Sequence, residues 1–223
     1  MINQRAVFAR LLPFAAFILL LALDSSLGQL FTWLQVDIKL TYLIRITVVL
    51  ALLFYFWADF IELTHSPAKS DIVYAAIAGT IVFIIWIFPY PSWLVGNDTT
   101  GFNPYRGGDE ITAIFWISIR LMGAVLIVPV MEELFWRSYV TRWFDNPNFL
   151  LISPEKISGY AYIGGACLFA IEHHLWLAGL LAGLVYGELY KTYKNLWVPI
   201  CAHAVTNALL GAWVVFTGQW NYW

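Results

Sequence analysis

Three short stretches of this 223-residue chain carry side chains that could do acid–base chemistry. The first is Glu132-Glu133-Leu134-Phe135-Trp136-Arg137, the second Glu172-His173-His174, and the third His203 with Asn207. If Glu133 and Arg137 lie on a helix, their spacing of four places them on one face, acid N-terminal to base, the favourable order for an ion pair. Glu132 then points about 100° away. One carboxylate is neutralised by the arginine and the other is left to face a different neighbour. That division suits a site where one acid is structural and one titrates. Phe169 and His173 share a face by the same spacing, as do His203 and Asn207.

These groups sit in an apolar setting. The chain is 61% hydrophobic and 12% charged, about half the charge of an ordinary soluble domain. The length admits roughly six to eight spans of about 20 residues each, and about seven are read here. The expected fold is an all-α polytopic membrane bundle forming one integral membrane domain over 1–223. The net charge of −2 argues against a nucleic-acid partner, which would call for a basic face. Lipid is the expected solvent, and ionisable groups at that depth are costly enough to mark function.

The elements that must position the three stretches follow from hydropathy. Spans are expected at 6–30, 40–60, 72–88 and 111–143, then two short helices between Gly159 and Tyr190 joined near His174, then a last span at 196–216. Arg5 and Arg10 ahead of Leu11–Leu23 resemble a signal peptide, but the segment is read as the first span. Arg45 is expected to snorkel to the interface, and Arg120 to pair with a carboxylate or carbonyl on another helix. The loop 92–110, with turn signals at Gly96-Asn97-Asp98, Gly101 and Gly107-Gly108, reads as a connector. Pro129, three residues before Glu132, should kink its helix or loosen the ladder. Gly179, Gly183 and Gly187 recur every four residues and let another helix approach closely. Cys167 and Cys201 read as small residues at helix contacts. With seven spans and a cytoplasmic N-terminus, Arg5, Arg10, Lys69, Arg142, Lys156, Lys191 and Lys194 face inward and only Lys39 and Arg106 outward.

Glu132-Glu133-x-x-x-Arg137, Phe169-x-x-x-His173 and His203-x-x-x-Asn207, in that order, resemble the motifs of the CAAX prenyl protease type II family, which includes the bacterial Abi or CPBP proteins. Pro199-Ile200-Cys201-Ala202 ahead of His203 also resembles its last motif. The resemblance covers 128–209. It implies an intramembrane glutamic endopeptidase of a bacterial inner membrane, working without a cofactor on a membrane-anchored protein or peptide, with a lipidated CAAX-like tail as the archetype. By motif position Glu132 is the general base, His173 holds and polarises the water, and His203 and Asn207 stabilise the oxyanion. Glu133, Arg137 and Phe169 support them. The site would open toward the cytoplasm.

Elementary chemistry agrees with those roles. Burial disfavours the charged form of a carboxylate, which suits a base, and after attack the same group can return its proton to the leaving amine. A neutral amide such as Asn207 donates to an oxyanion without burying a charge, worth roughly 3 kcal/mol in a dry site. Three other readings remain open. One is a zinc peptidase with Glu132, His173 and His203 as ligands. Another is a non-enzymatic immunity or partner-binding protein, and the third a proton-coupled transporter. Glu172 and His174 read as boundary residues or as supports behind the catalytic groups, rather than as catalysts.

Overall fold

The computed structural model describes residues 3–34, 36–91, 93, 101–106 and 108–223. Helices account for nearly all of the regular structure: α1 (Gln4–Ala22), α2 (Asp24–Trp33), α3 (Leu40–Tyr55), α4 (Lys69–Trp86), α5 (Glu110–Asp145), α6 (Gly159–Ile171), α7 (Trp176–Tyr193) and α8 (Trp197–Thr217). Polar residues start several of them. The side chains of Asn3, Asp109 and Ser158 accept from the backbone N–H groups of Ala6, Thr112 and Ala161, giving the first turns of α1, α5 and α6 a partner. The first expected span is two helices rather than one, broken at Leu23 just before Asp24. Of the expected loop signals, Gly96, Asn97, Asp98 and Gly107 lie outside the described residues.

Among the described residues, α1, α4, α5 and α8 are long and apolar enough to cross a bilayer. Seven crossings would also require α3, α6 and α7. The 16 residues of α3 and 13 of α6 extend about 24 and 20 Å at helical rise, against a hydrocarbon core of about 30 Å. Large apolar side chains cover much of the outside, among them Ile77, Ile81 and Ile84 on α4. That is the surface expected of a protein solvated by lipid.

Glycines set the closest helix contacts. A Cβ on Gly79 of α4 would sit 2.2 Å from the Ala202 carbonyl oxygen of α8, so only glycine permits that crossing. The stripe read from sequence packs α7 on α6 as expected. A Cβ on Gly183 would come within 3.0 Å of the Ala166 Cα, and one on Gly187 within 2.8 Å of the Tyr162 ring. The cysteines depart from expectation in part: both are free, Cys201 is half-buried, and Cys167 is exposed rather than at a contact.

Charges thought to be peripheral are used inside. Arg45 does not snorkel; it is buried, paired with Asp24, and lies 5.2 Å over the Phe17 ring. Among the described residues, Arg120 makes no ion pair with a carboxylate. Its guanidinium lies 4.3 Å over Tyr42, whose hydroxyl donates to the Arg120 carbonyl. Arg10 is 1% exposed and shares Glu62 with Arg142, while Ser138 donates to the same carboxylate. This network joins α1, the turn after α3, and the C-terminal part of α5. Past the other end of α3, the Lys39 ammonium donates to the Arg106 carbonyl, so the two cations read as outward share one end.

Burial works against the charge on Glu62, but Arg10 and Arg142 outweigh it and hold its carboxyl below the ordinary 4.5. A carboxyl lowered in the folded state stabilises above its ordinary value and loses that contribution as pH falls through the folded one. Glu62→Gln should therefore melt well below the parent at pH 7 in detergent. The gap should close as the pH is taken from about 5 downward; a constant gap would count against the assignment.

Candidate active site

The site is built where α5 departs from regular α geometry. Gly123–Ile127 and Leu134–Val140 are π-helical turns on either side of Val128–Glu133. In a π-turn the carbonyl of residue i takes the N–H of residue i+5, as Gly123 does from Val128. For Ala124 that donor would be Pro129, which has none. The side-chain amide of Asn207 on α8 supplies it instead, donating from Nδ2 to the Ala124 oxygen at 2.8 Å. The loosening expected at Pro129 is therefore real, and Asn207 repairs it while docking α8 on α5.

Glu133 is fully buried. Its Oε2 lies 3.1 Å from the Arg137 Nε, the ion pair read from the spacing, and its Oε1 accepts from His203 Nδ1 at 3.0 Å. The Arg137 guanidinium lies 4.4 Å over the Phe169 ring and 5.4 Å over Tyr186. Tyr186 stacks on His203, with ring centroids 5.0 Å apart. Phe169 thus supports the arginine with its ring and, through its carbonyl, accepts from His173 Nδ1 at 2.8 Å. With that nitrogen committed as a donor, Nε2 is the free, lone-pair-bearing position of neutral His173.

Glu132 is 8% exposed, and its Oε2 has no hydrogen-bond partner among the described residues. That oxygen lies 3.9 Å from His203 Nε2, too far for a hydrogen bond. One ligand atom each from Glu132, Glu172 and His173 lie within 4.8 Å of one another. Two hydrogen bonds of about 2.8 Å from a single water span about 4.6 Å at a tetrahedral angle, so the trio is spaced to hold one water. Among the described residues it is also the group that could share a metal ion, though zinc bonds would call for separations of about 3.3 Å. In this grouping Glu172 stands where the zinc set read from sequence had His203, whose Nε2 lies 3.9 Å from Glu132 Oε2.

The structure brings Glu132, Glu133, Arg137, Phe169, His173 and His203 into one connected cluster. Asn207 is placed on the same face of α8 as His203 and is engaged with Ala124. Sequence reasoning left Glu172 at the boundary and passed over Trp136, whose indole N–H donates to Glu172 Oε1 at 2.9 Å. The available signal was spacing: Trp136 follows Glu132 by four on one helix. His174 instead turns toward the C-terminus, its ring 6.5 Å from Tyr222.

Residues 113–209 match the family model described as type II CAAX prenyl endopeptidase, Rce1-like. This segment is similar to a type II CAAX prenyl endopeptidase domain, and the likeness supports a membrane endopeptidase of the CAAX type in general. All three charged stretches fall inside the match. Neither the curated proteins nor the solved structures gave a match.

Within the matched segment, Gly179 fixes where His173 sits. A Cβ there would lie 3.2 Å from both the His173 Cβ and the Ala170 Cα, whereas one on Gly159 would meet open space. Gly179→Val should displace the histidine and lower peptide cleavage at least tenfold, a 1 Å misplacement being worth up to about 10²-fold. Gly159→Ala should leave cleavage unchanged. Initial rates of the two variants on one membrane-anchored peptide decide this.

Proposed function

We propose that the chain hydrolyses a peptide bond in a membrane-associated protein tail by a metal-free, glutamate- and histidine-assisted attack of water. The observation that carries this reading is the buried Glu132 oxygen with no partner beside His173, whose other ring nitrogen is committed to Phe169. Glu132 takes a proton from the water as its oxygen attacks the carbonyl carbon. His173 accepts the second O–H through Nε2 and fixes the water's orientation. Asn207, through its amide, and His203, as an imidazolium that donates from Nε2 while Nδ1 stays on Glu133, stabilise the oxyanion. Arg137 neutralises Glu133, so that Glu133 holds His203 without adding an unpaired charge.

The substrate class follows from the family and the surroundings: a protein or peptide anchored in the bilayer, with a lipidated CAAX-like tail the first to try. The shared ends of the lysines and arginines support a cytoplasmic N-terminus and a site opening to the cytoplasm.

The test is cleavage of a panel of membrane-anchored peptides by the purified full chain. Glu132→Gln and His173→Ala should each lower the rate by about 10² to 10⁴ while retaining the parent melting temperature within a few degrees. A chelator should leave the rate unchanged. Abolition by the chelator and recovery with zinc would replace this mechanism by one in which Glu132, Glu172 and His173 hold the metal. No cleavage across the panel, with the phenotype surviving Glu132→Ala, would favour an immunity or partner-binding role.

A further inference from the structure

Glu172 lies in the turn between α6 and α7, and its side chain is exposed. Its position is nonetheless set from below. Trp136, one turn beyond Glu132 on α5, holds Glu172 Oε1 with its indole N–H, and residues four apart on a helix share a face. The indole is itself fixed by edge contacts to Phe14 and Phe169. Glu172 is therefore carried to the side of α5 that bears Glu132, and the two carboxyls come within 4.8 Å with His173 between the helices. One of the pair is buried with an oxygen that has no hydrogen-bond partner among the described residues; the other opens outward. Two carboxyls this close hold one proton between them more readily than two negative charges.

We propose that Glu172 is the general acid of the peptidase, protonating the leaving amine, while Glu132 serves as the base. This assignment rests on the peptidase reading above. As the water oxygen bonds to the carbonyl carbon, one water proton passes to the Glu132 carboxylate and the carbonyl becomes a tetrahedral oxyanion. On collapse the carbon–nitrogen bond breaks, and the Glu172 proton goes to the departing nitrogen. The products are a carboxylic acid and an amine. Glu132 now holds the proton that Glu172 has lost, and its transfer across the pair, through the next water to bind, restores the resting site. The exposed side of Glu172 is where a substrate segment on the leaving side can reach it, and the buried Glu132 lies behind the water.

The experiment compares a peptide that the protein cleaves with an ester of the same sequence whose leaving group is an acidic phenol. Such a phenolate departs without being protonated, so the ester needs the base but not the acid. Glu172→Gln should lower kcat on the peptide by about 10² or more and on the ester by less than about threefold. Trp136→Phe keeps the ring and removes the donor, and should shift the ester-to-peptide ratio in the same direction by a smaller factor. Glu132→Gln should depress both substrates. Equal losses on peptide and ester with Glu172→Gln, or no loss on either, would overturn the assignment. Retention of both rates by Glu132→Gln would instead overturn the peptidase reading, whatever Glu172 does.

Discussion

Everything near the site depends on how one buried charge is satisfied. Glu133 has no access to solvent, and a carboxylate in that position costs several kcal/mol unless it is paired. Arg137 supplies the charge, and His203 supplies a hydrogen-bond donor from another helix. The arginine in turn lies over Phe169 of α6 and Tyr186 of α7, and Tyr186 stacks on the same histidine. Four helices therefore converge on a single carboxylate. Glu132, the preceding residue, inherits a rigid backbone and a neutralised neighbourhood. Its own Oε2 keeps no hydrogen-bond partner among the described residues, while the neighbouring carboxylate is fully occupied.

The second constraint is a missing hydrogen. Pro129 cannot complete the π-turn that precedes the paired glutamates, so the Ala124 carbonyl must find a donor elsewhere. Asn207 provides it from α8. Its amide is thus held in place by structure, while its second N–H remains available for recognition. A helix that was regular throughout would need no such partner, and α8 would lose a polar tie to α5. The irregularity in α5 and the docking of α8 are a single feature.

Periodicity made part of this legible and hid the rest. The Glu133–Arg137 pair, the shared faces of Phe169 with His173 and of His203 with Asn207, and the glycine stripe on α7 all follow from residues three or four apart on one helix. They appear as read. Partners on different helices have no such signature. Spacing could not say that His203 takes Glu133 rather than Glu132, or that Arg45 turns inward to Asp24. Glu172 sits in a turn, where no period assigns a face, and only the indole of Trp136 shows its direction. The number of crossings suffers differently. Hydropathy marks α3 and α6 as apolar, but helices of 16 and 13 residues are compatible with either a thinned bilayer or a partial crossing.

The network around Arg10 bears on how the chain is made. Its partners Glu62 and Ser138 lie 52 and 128 positions later. At about 5–20 residues per second of synthesis, the guanidinium waits roughly 3 to 10 s for the carboxylate and 6 to 26 s for the hydroxyl. During that interval α1 cannot take its final depth, since an unpaired arginine is driven to the headgroups. It settles only after α5 has emerged, when Phe14 can also stack on Phe135 at 3.8 Å. Helix α1 is thus among the last to be seated. Without it, α5 would lack the ring that packs beside Trp136.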